Sequence, residues 1–326
     1  MNGFAARHDR VPFERRMKPY SEATLSVVTP VYRNEQTLAE LARQIFAAAA
    51  PIFGRVEYIF VNDCSPDGSR QVLKSLAQAN PAIKVINLAR NFGQHVALMV
   101  GMRAAVGDYV FLIDADLEES PADLAKFAAK MREGHEIVVG QRTGQRATWP
   151  RALASRLYFE LFNALSDRPI VVNASTMRLM TARYVGYLTA FDEHPFIAGL
   201  TSWIGVPIAL VPVQLHERAD SSYSLRGLLR HARAGILGFS TKPIRLATYA
   251  GLALCTGSLL YLTWALVRYA LGGVAPGFTS LVTLFALLMG AQFIFIGLLG
   301  EYIGEIFLQT KNRPASLIYD RFGFED

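Results

Sequence analysis

The chain has 326 residues and a net charge of +6, from 33 Lys and Arg against 27 Asp and Glu. This length exceeds one minimal domain and favours a large domain with an appendage. The positive balance favours anionic partners such as nucleotide phosphates, lipid phosphates or an anionic membrane surface, and no nucleic acid partner is expected. Residues 1–20 are basic but lack the apolar core of roughly 7 to 15 residues that a secretory signal needs, so this part is expected to stay in the cytosol.

Short apolar runs alternate with amphipathic stretches along the first half of the chain. The runs are residues 25–31, 56–62, 83–88, 109–113 and 136–140. Near-continuous apolar runs of this length are typical of strands in a parallel sheet that is covered on both faces. Residues 35–49 have apolar side chains at helical spacing, and Ser120 followed by Pro121 begins a further helix. The sequence therefore predicts an α/β fold with a Rossmann-like open sheet.

Polar residues follow each of these predicted strands. They are Tyr32, Arg33, Asn34 and Glu35 after the first, Asp63, Ser65 and Asp67 after the second, Arg90, Asn91 and Gly93 after the third, Asp114, Asp116 and Glu118 after the fourth, and Gln141 and Arg142 after the fifth. Open α/β sheets bind ligands in the crevice outside the carboxyl ends of their strands. We therefore expect a binding site at that edge, which we call the carboxyl rim.

Asp114 and Asp116 stand one residue apart at the end of the fourth predicted strand. Carboxylates in this position can share Mg²⁺ or Mn²⁺, which proteins often hold with one or two carboxylates plus substrate phosphates. Alternatively, the acids could simply favour the N-terminus of the next helix. The acids and arginines at neighbouring strand ends favour the metal site. The glycine-rich signatures of dinucleotide oxidoreductases and P-loop enzymes, and the nucleophile elbow of α/β-hydrolases, do not occur in the sequence.

Two uncharged runs lie near the C-terminus, at residues 246–267 and 269–300, and each exceeds the roughly 18 to 20 residues that cross a bilayer. Neither has a polar face, which favours a transmembrane hairpin over the alternative of two buried core helices. Basic residues flank the pair on both sides: Lys242 and Arg245 precede it, and Lys311 and Arg313 follow it. The positive-inside rule then places both termini on the cytoplasmic side of a multi-pass inner-membrane protein.

An amphipathic stretch at residues 224–239 places Arg226, Arg230 and Arg233 among apolar side chains. This pattern is typical of a helix that lies in the headgroup layer of a membrane, and Lys242 extends its basic surface. The arginines could grip a lipid phosphate, or they could contact anionic lipids without any further role.

Several motifs together resemble the family 2 glycosyltransferases with a GT-A fold, and within them the polyprenyl-phosphate branch that includes dolichol-phosphate mannose synthase. They lie at residues 30–38, 61–69, 88–98, 114–121, 140–142, 239–245 and 312–314. The resemblance implies an inverting hexosyltransferase that moves a sugar from a nucleotide-sugar to polyprenyl (undecaprenyl) phosphate for cell-envelope glycan modification. It implies UDP rather than GDP as the nucleotide, with GDP left open, and allows a homotetramer.

The same resemblance assigns roles to individual residues. Base and ribose contacts fall on Pro30, Tyr32, Glu35, Asp63 and Asp67, and contacts near the base and phosphates on Arg90, Asn91 and Gly93. Asp114, Asp116 and Glu118 are assigned to Mg²⁺ or Mn²⁺ and the diphosphate. Arg142 and Arg178 are assigned catalytic contacts with phosphate. The lipid phosphate is assigned to Arg218, Arg226, Arg230, Arg233 and Lys242. Glu118 replaces a Gln of many relatives, and Asn173 replaces an Asp.

We therefore expect five segments. They are a basic N-terminal segment at 1–24, a GT-A catalytic domain at 25–215, an acceptor loop and interfacial helix at 216–245, a transmembrane hairpin at 246–300 and a cytoplasmic tail at 301–326. Two alternatives remain open: a processive polysaccharide synthase, and a non-catalytic membrane scaffold that retains a nucleotide-binding fold.

Overall fold

The computed structural model describes most of the chain in six main stretches. The described residues are 18–143, 171, 173–191, 196–214, 242–271, 277–311 and 314–324. The chain divides into two compact units: the first comprises Met1–Ala152, Ile170–Ser222 and Pro314–Asp326, and the second comprises Leu153–Pro169 and Tyr223–Arg313. The predicted N-terminal segment up to residue 17, and the predicted acceptor loop and interfacial helix up to residue 241, lie outside the described residues.

The first unit is built on a sheet of eight strands in the order β7-β5-β6-β4-β1-β2-β3-β8. The strands are β1 (Thr24–Val31), β2 (Arg55–Asn62), β3 (Ile83–Leu88), β4 (Tyr109–Leu112), β5 (Ile137–Thr143), β6 (Ala174–Thr181), β7 (Ile208–Gln214) and β8 (Ile318–Phe322). The helices of this unit are α1 (Leu38–Ala49), α2 (Ser69–Ala79), α3 (Gln94–Ala104), α4 (Leu124–Met131), α5 (Ala182–Thr189) and α6 (Ile197–Ile204).

Helices cover both faces of the central strands. Alternate residues of a strand point to opposite faces, so neighbouring residues pack against different helices. Val27 belongs to the core cluster that also contains Leu41 of α1 and Phe127 of α4. Val28 faces the other way, toward α3, where a side chain at Gly101 would come within 2.3 Å of it. The apolar runs predicted as strands are therefore buried on both sides, which explains why they lack an alternating pattern.

The sheet is mixed rather than parallel, which corrects one expectation. β1 pairs in parallel with β2 and β4, and β2 pairs in parallel with β3. β6, however, lies between β4 and β5 and is antiparallel to both, and β8 is antiparallel to β3. An antiparallel strand between two strands that run the same way leaves the carboxyl ends of β1 to β5 at one edge of the sheet. The carboxyl rim therefore survives this correction.

The second unit contains two long helices, α7 (Lys242–Ala270) and α8 (Phe278–Thr310), which contact each other. Large apolar side chains on both helices are exposed, among them Leu259 and Trp264 of α7 and Phe293 and Ile294 of α8. Within the described ranges, no helix combines enough length with enough apolar character to cross a membrane.

Candidate active site

The loops that follow β1 and β2 are joined by hydrogen bonds between backbone and side chains. The N–H of Arg33 donates to Oγ of Ser65 at 2.6 Å, and the N–H of Glu35 donates to Oδ2 of Asp67 at 3.2 Å. In return, the N–H of Gly68 donates to Oε2 of Glu35 at 3.0 Å. A Cβ at residue 68 would lie 2.5 Å from the Glu35 carboxylate, so only glycine allows this approach. Glu35 and Asp67 therefore join the two loops of this part of the rim, and the nucleotide contacts predicted for them remain predictions.

The Asp67 carboxylate is held in its charged form. Burial by itself would raise its pKa, but hydrogen bonds from Ser65, from Ser69 and from the backbone of Glu35 outweigh burial and lower the pKa from 3.8 to about 2. Oδ1 of Asp67 accepts from Oγ of Ser65 at 2.7 Å and from the N–H of Ser69 at 3.2 Å. Asp67 is thus a fixed negative charge at the rim.

Asp63 anchors the loop between β3 and α3. Its two carboxylate oxygens accept from the N–H groups of Phe92, at 2.7 Å, and Gly93, at 2.8 Å. Gly93 has a φ of 95°, a conformation that glycine adopts without strain. The Arg90 guanidinium lies 4.1 Å from the centroid of the Phe92 ring, a cation–π contact that orients this arginine. The nucleotide contacts predicted for Asp63, Arg90, Asn91 and Gly93 remain predictions.

Pro30 and Tyr32 lie at the end of β1. Pro30 is a buried member of the strand, whereas Tyr32 directly follows it and is 42% exposed. The Arg33 guanidinium lies 5.3 Å from the centroid of the Tyr32 ring. An exposed aromatic ring at the rim offers a surface on which a nucleotide base could stack.

Asp114 and Asp116, predicted as the metal ligands, lie just beyond β4. Oδ1 of Asp114 accepts from Nε2 of Gln94 at 2.6 Å, and Oδ2 accepts from Oγ1 of Thr176 at 2.7 Å. Oδ1 of Asp116 accepts from the N–H of Glu118 at 3.0 Å. The contact with Thr176 joins β6 to the site, so the inserted antiparallel strand contributes to the rim.

Burial, together with the nearby charge of Asp116, raises the pKa of Asp114 from 3.8 to about 6. The Thr176 hydrogen bond and the charges of Arg142 and Arg178 oppose this rise. Two carboxylates that disfavour each other's charge are stabilised when a cation lies between them. In the part of the chain that the structure describes, no three His, Cys, Asp or Glu side chains gather as a metal site. The donor set instead fits a hard divalent cation whose remaining ligands are substrate phosphates and water.

Glu119 is a buried acid that the sequence analysis did not single out. It is 3% exposed, and its Oε1 accepts from the N–H of Thr176 at 3.2 Å. Oε2 is buried and has no hydrogen-bond partner among the described residues. Burial, together with the Asp114 charge, raises the pKa of Glu119 from 4.5 to about 7, although the Arg142 charge opposes this rise. A fourth acid, directly after Glu118, was the available signal, but the sequence does not reveal that its side chain points inward.

The predicted catalytic arginines lie on neighbouring strands. Arg178 of β6 is 8% exposed and donates to the carbonyl oxygens of Thr176, at 3.2 Å, and Ser175, at 3.1 Å. Burial lowers its pKa from the usual value, against the opposing charges of nearby acids. Nε of Arg142, on β5, is buried and finds no hydrogen-bond acceptor in the described residues. The structure therefore gathers two guanidinium groups beside Asp114 and Glu119.

Strained backbone also concentrates at the carboxyl rim. Among the described residues, the non-glycine residues with positive φ are Arg33, Cys64, Leu117 and Asn173, at 54° to 62°. Each lies in a loop at this edge, and such a conformation costs on the order of 1–3 kcal/mol per residue. Asn tolerates this region better than most residues, and the carbonyl of Asn173 accepts from the N–H of Arg142 at 2.9 Å. Asn173 thus helps to position Arg142.

The predicted acceptor residues are only partly described. Lys242 begins α7, in the second unit. Arg218, Arg226, Arg230 and Arg233 lie outside the described residues, so their contact with a lipid phosphate stays a prediction.

The first unit is an open α/β sheet that gathers acids and arginines at its carboxyl edge, and comparison with known proteins identifies its family. Residues 26–188 match the family described as "Glycosyl transferase family 2", and residues 242–306 match "GtrB C-terminal hairpin". The chain belongs to glycosyl transferase family 2. The predicted family, GT-A fold class and transferase activity are confirmed.

Similar proteins come from several bacteria and phages. The chain is 30% identical to "Uncharacterized glycosyltransferase YkcC" of Bacillus subtilis over 92% of this chain and 95% of that protein. It is 32% identical to "Bactoprenol glucosyl transferase" of Shigella phage SfX over 91% of this chain and 99% of that protein. A glucosyl-3-phosphoglycerate synthase of Mycobacterium tuberculosis, solved with Mn²⁺ and UDP, is 23% identical, with a TM-score of 0.48 over 66% of this chain and 76% of that chain.

Proposed function

We propose that this glycosyltransferase moves a sugar from a nucleoside-diphosphate sugar to polyprenyl phosphate at a membrane surface. The proposed donor is a UDP-sugar. The proposal draws on relatives named for bactoprenol and on the hairpin family at residues 242–306. The single observation that carries the chemistry is the cluster of Asp114, Asp116, Arg142 and Arg178, which places paired acids beside guanidinium groups at the carboxyl rim.

The paired acids would hold the donor diphosphate through a divalent cation. Asp114 and Asp116 are the residues that would bind Mg²⁺ or Mn²⁺, with Glu118 beside them. When bound, such a cation acts as a Lewis acid that stabilises the negative charge of the departing nucleoside diphosphate. Gln94 and Thr176 hold the Asp114 carboxylate in place before the donor arrives, so little reorganisation is needed during the reaction.

The acceptor chemistry fits a site that positions phosphates with cations. A phosphate monoester is already largely ionised near neutral pH, since its second pKa is about 6, so its oxygen can attack the anomeric carbon without a base. An alcohol acceptor would instead have to lose a tightly held proton. Arg142 and Arg178 supply the positive charge that offsets two anionic groups in one site. Asn173 in place of an acid is compatible with this arrangement.

Membrane attachment is proposed for α7 and α8. The runs 246–267 and 269–300 carry no charged residue, and many of their large apolar side chains are exposed to solvent in the isolated chain. Exposed apolar surface on this scale needs a lipid or protein partner. A bilayer would cover it and would bring a polyprenyl phosphate to the same enzyme, with the first unit and both termini on the cytoplasmic side.

The experiment is a donor screen with the full-length protein in detergent or proteoliposomes. UDP- and GDP-sugars are each incubated with undecaprenyl phosphate, with and without EDTA, and the lipid products are identified by mass spectrometry. We expect one sugar-phospho-polyprenol that disappears with EDTA and returns with Mg²⁺ or Mn²⁺. A polymeric product would favour a polysaccharide synthase, and nucleotide binding without turnover on any acceptor would favour a non-catalytic scaffold.

A further inference from the structure

A line of polar side chains crosses β2 and β3 and ends on the C-terminal strand β8. The N–H of Ser65 donates to Oδ1 of Asn62 at 3.0 Å, and Nδ2 of Asn62 donates to Oδ1 of Asn87 at 2.8 Å. Nδ2 of Asn87 then donates to Oδ1 of Asp320 at 2.6 Å. We call this line the Asn62–Asn87–Asp320 chain.

The two amides of this chain are enclosed in the protein. Asn62 and Asn87 are each 2% exposed, so water cannot replace a lost partner without a change in packing. Each amide uses its oxygen as an acceptor and its nitrogen as a donor in the same direction along the chain. A carboxylate at residue 320 can only accept, and it therefore fixes which way both amides point.

Asp320 also forms an ion pair with a residue outside the Asn62–Asn87–Asp320 chain. Arg70 of α2 donates to its second carboxylate oxygen, and the side chains of this ion pair are 49% and 27% exposed. Asp320 also lies opposite Asn87 in the antiparallel pairing of β8 with β3. The strand that follows the two long helices in sequence thus forms one edge of the sheet and places a partly exposed carboxylate against a buried amide.

The other end of the chain reaches the carboxyl rim. Oγ of Ser65 accepts from the N–H of Arg33 at 2.6 Å and donates to Oδ1 of Asp67 at 2.7 Å. Ser65 therefore links the buried amides to the two loops that, under the proposed function, contact the base and ribose of the donor. Hydrogen bonds therefore connect Asp320 without a break to these loops.

We infer that Asp320 is a positioning residue for the nucleotide: through Asn87 and Asn62 it holds Ser65, and with it the rim loops, in the shape that binds the donor. This inference rests on the proposed function, because it takes the nucleotide to bind between these loops. It also gives the C-terminal tail a role in donor binding.

The test compares three variants of the full-length protein. Asp320→Ala removes the acceptor of the Asn87 N–H, Asp320→Asn keeps an acceptor oxygen, and Arg70→Gln removes only the outer ion pair. Titration calorimetry measures binding of UDP and of GDP in the presence of Mn²⁺, and thermal unfolding is recorded for each variant. We expect Asp320→Ala to weaken binding of the preferred nucleotide about tenfold, and the other two variants to stay within about threefold of the wild type.

A transfer assay supplies the second readout. Asp320→Ala should raise the KM for the nucleotide-sugar and leave the KM for undecaprenyl phosphate unchanged, whereas a generally loosened fold would change both. Two results would overturn the inference alone. One is unchanged nucleotide binding in Asp320→Ala. The other is an equal loss of nucleotide binding in Asp320→Ala and Arg70→Gln, together with an equal fall in Tm of both variants. A wild-type protein that binds neither UDP nor GDP would overturn it together with the proposed function.

Discussion

Asp114 and Asp116 are separated by one residue but differ in their surroundings. Both oxygens of Asp114 accept hydrogen bonds from side chains, from Gln94 and from Thr176, whereas Asp116 accepts from the backbone N–H of Glu118. Asp114 is therefore fixed by the protein from two sides. Asp116 has more freedom to turn toward a bound cation, which makes it the better position for testing the metal site.

Replacing Asp116 with Asn should reduce turnover at least about a thousandfold, because the variant loses a charged ligand for the cation that stabilises the leaving group. The fold should be retained, since an amide oxygen can still accept from the N–H of Glu118. Steady-state transfer assays and thermal unfolding measure the two effects. Glu133→Gln, which changes an exposed acid next to α4, is the control and should keep full activity. Full activity in Asp116→Asn would remove this residue from the metal site.

Asp67 is expected to make the stability of the fold decrease at low pH. Its pKa is lowered in the folded protein to about 2, from 3.8, so its hydrogen bonds stabilise the fold above about pH 4 and are lost as pH falls toward 2. Asp67→Asn should therefore have a lower Tm than the wild type at pH 7, and the difference should shrink between pH 4 and pH 2. Thermal unfolding at a series of pH values measures this, with Glu22→Gln as a control at an exposed acid. A difference in Tm that does not vary with pH would contradict it.

Elements of the sheet were predictable where burial on both faces gave an uninterrupted apolar run. β1, β2, β3 and β4 were predicted to within one residue at each end for this reason. β6 was missed because it carries the polar residues Ser175, Thr176 and Arg178 into the site, and these interrupt the apolar pattern. β8 was missed because an exposed edge strand with Asp320 and Arg321 has no apolar signal.

The candidate site was predictable only in part. Its strand-end acids were predictable because the carboxyl edge of an open sheet collects the residues that follow each strand. The groups that hold these acids were not predictable: Gln94 and Thr176 lie 20 and 62 positions from Asp114 along the chain. Contacts of this kind depend on how α3 and β6 pack beside β4, and no local pattern encodes that packing.

The contact between α3 and the sheet can be tested at Gly101. A Cβ there would lie 2.3 Å from Val28 and 3.0 Å from Val61, so Gly101→Ala must push the helix away from β1 and β2. We expect a loss of about 1–3 kcal/mol in the free energy of unfolding, measured by chemical denaturation. Gly297→Ala on α8 is the matched control, because a Cβ there meets no atom within 4 Å. Equal stability of the two variants would show that α3 packs less closely than described.

At the scale of the whole molecule, two compact units divide the work that we propose. The first carries the acids, the arginines and the C-terminal strand, and the second carries the two long helices with their exposed apolar side chains. A transferase whose acceptor is a lipid needs both a polar site and a means of residing at the membrane. The +6 net charge of the chain is consistent with attraction to anionic lipids and to phosphate substrates.

Membrane insertion of α7 can be tested with a charge near its middle. Leu259 is 64% exposed, and Leu259→Arg would place a charge in the bilayer core at about 2.5–3.5 kcal/mol on the insertion scale. We expect the fraction of protein that resists carbonate extraction from membranes to fall several-fold, while Leu259→Met behaves as the wild type. Equal retention of both variants in membranes would argue against α7 as a bilayer-spanning helix.

Under the proposed function, the acceptor nucleophile is a lipid phosphate oxygen, for which no catalytic base is needed. The most direct measurement compares undecaprenyl phosphate with undecaprenol as acceptor, in the presence of the preferred nucleotide-sugar and Mn²⁺. We predict that labelled sugar enters an acid-labile lipid with the phosphate and does not enter the alcohol. Transfer to the alcohol at a comparable rate, or release of free sugar with either lipid, would show that the nucleophile is not the lipid phosphate.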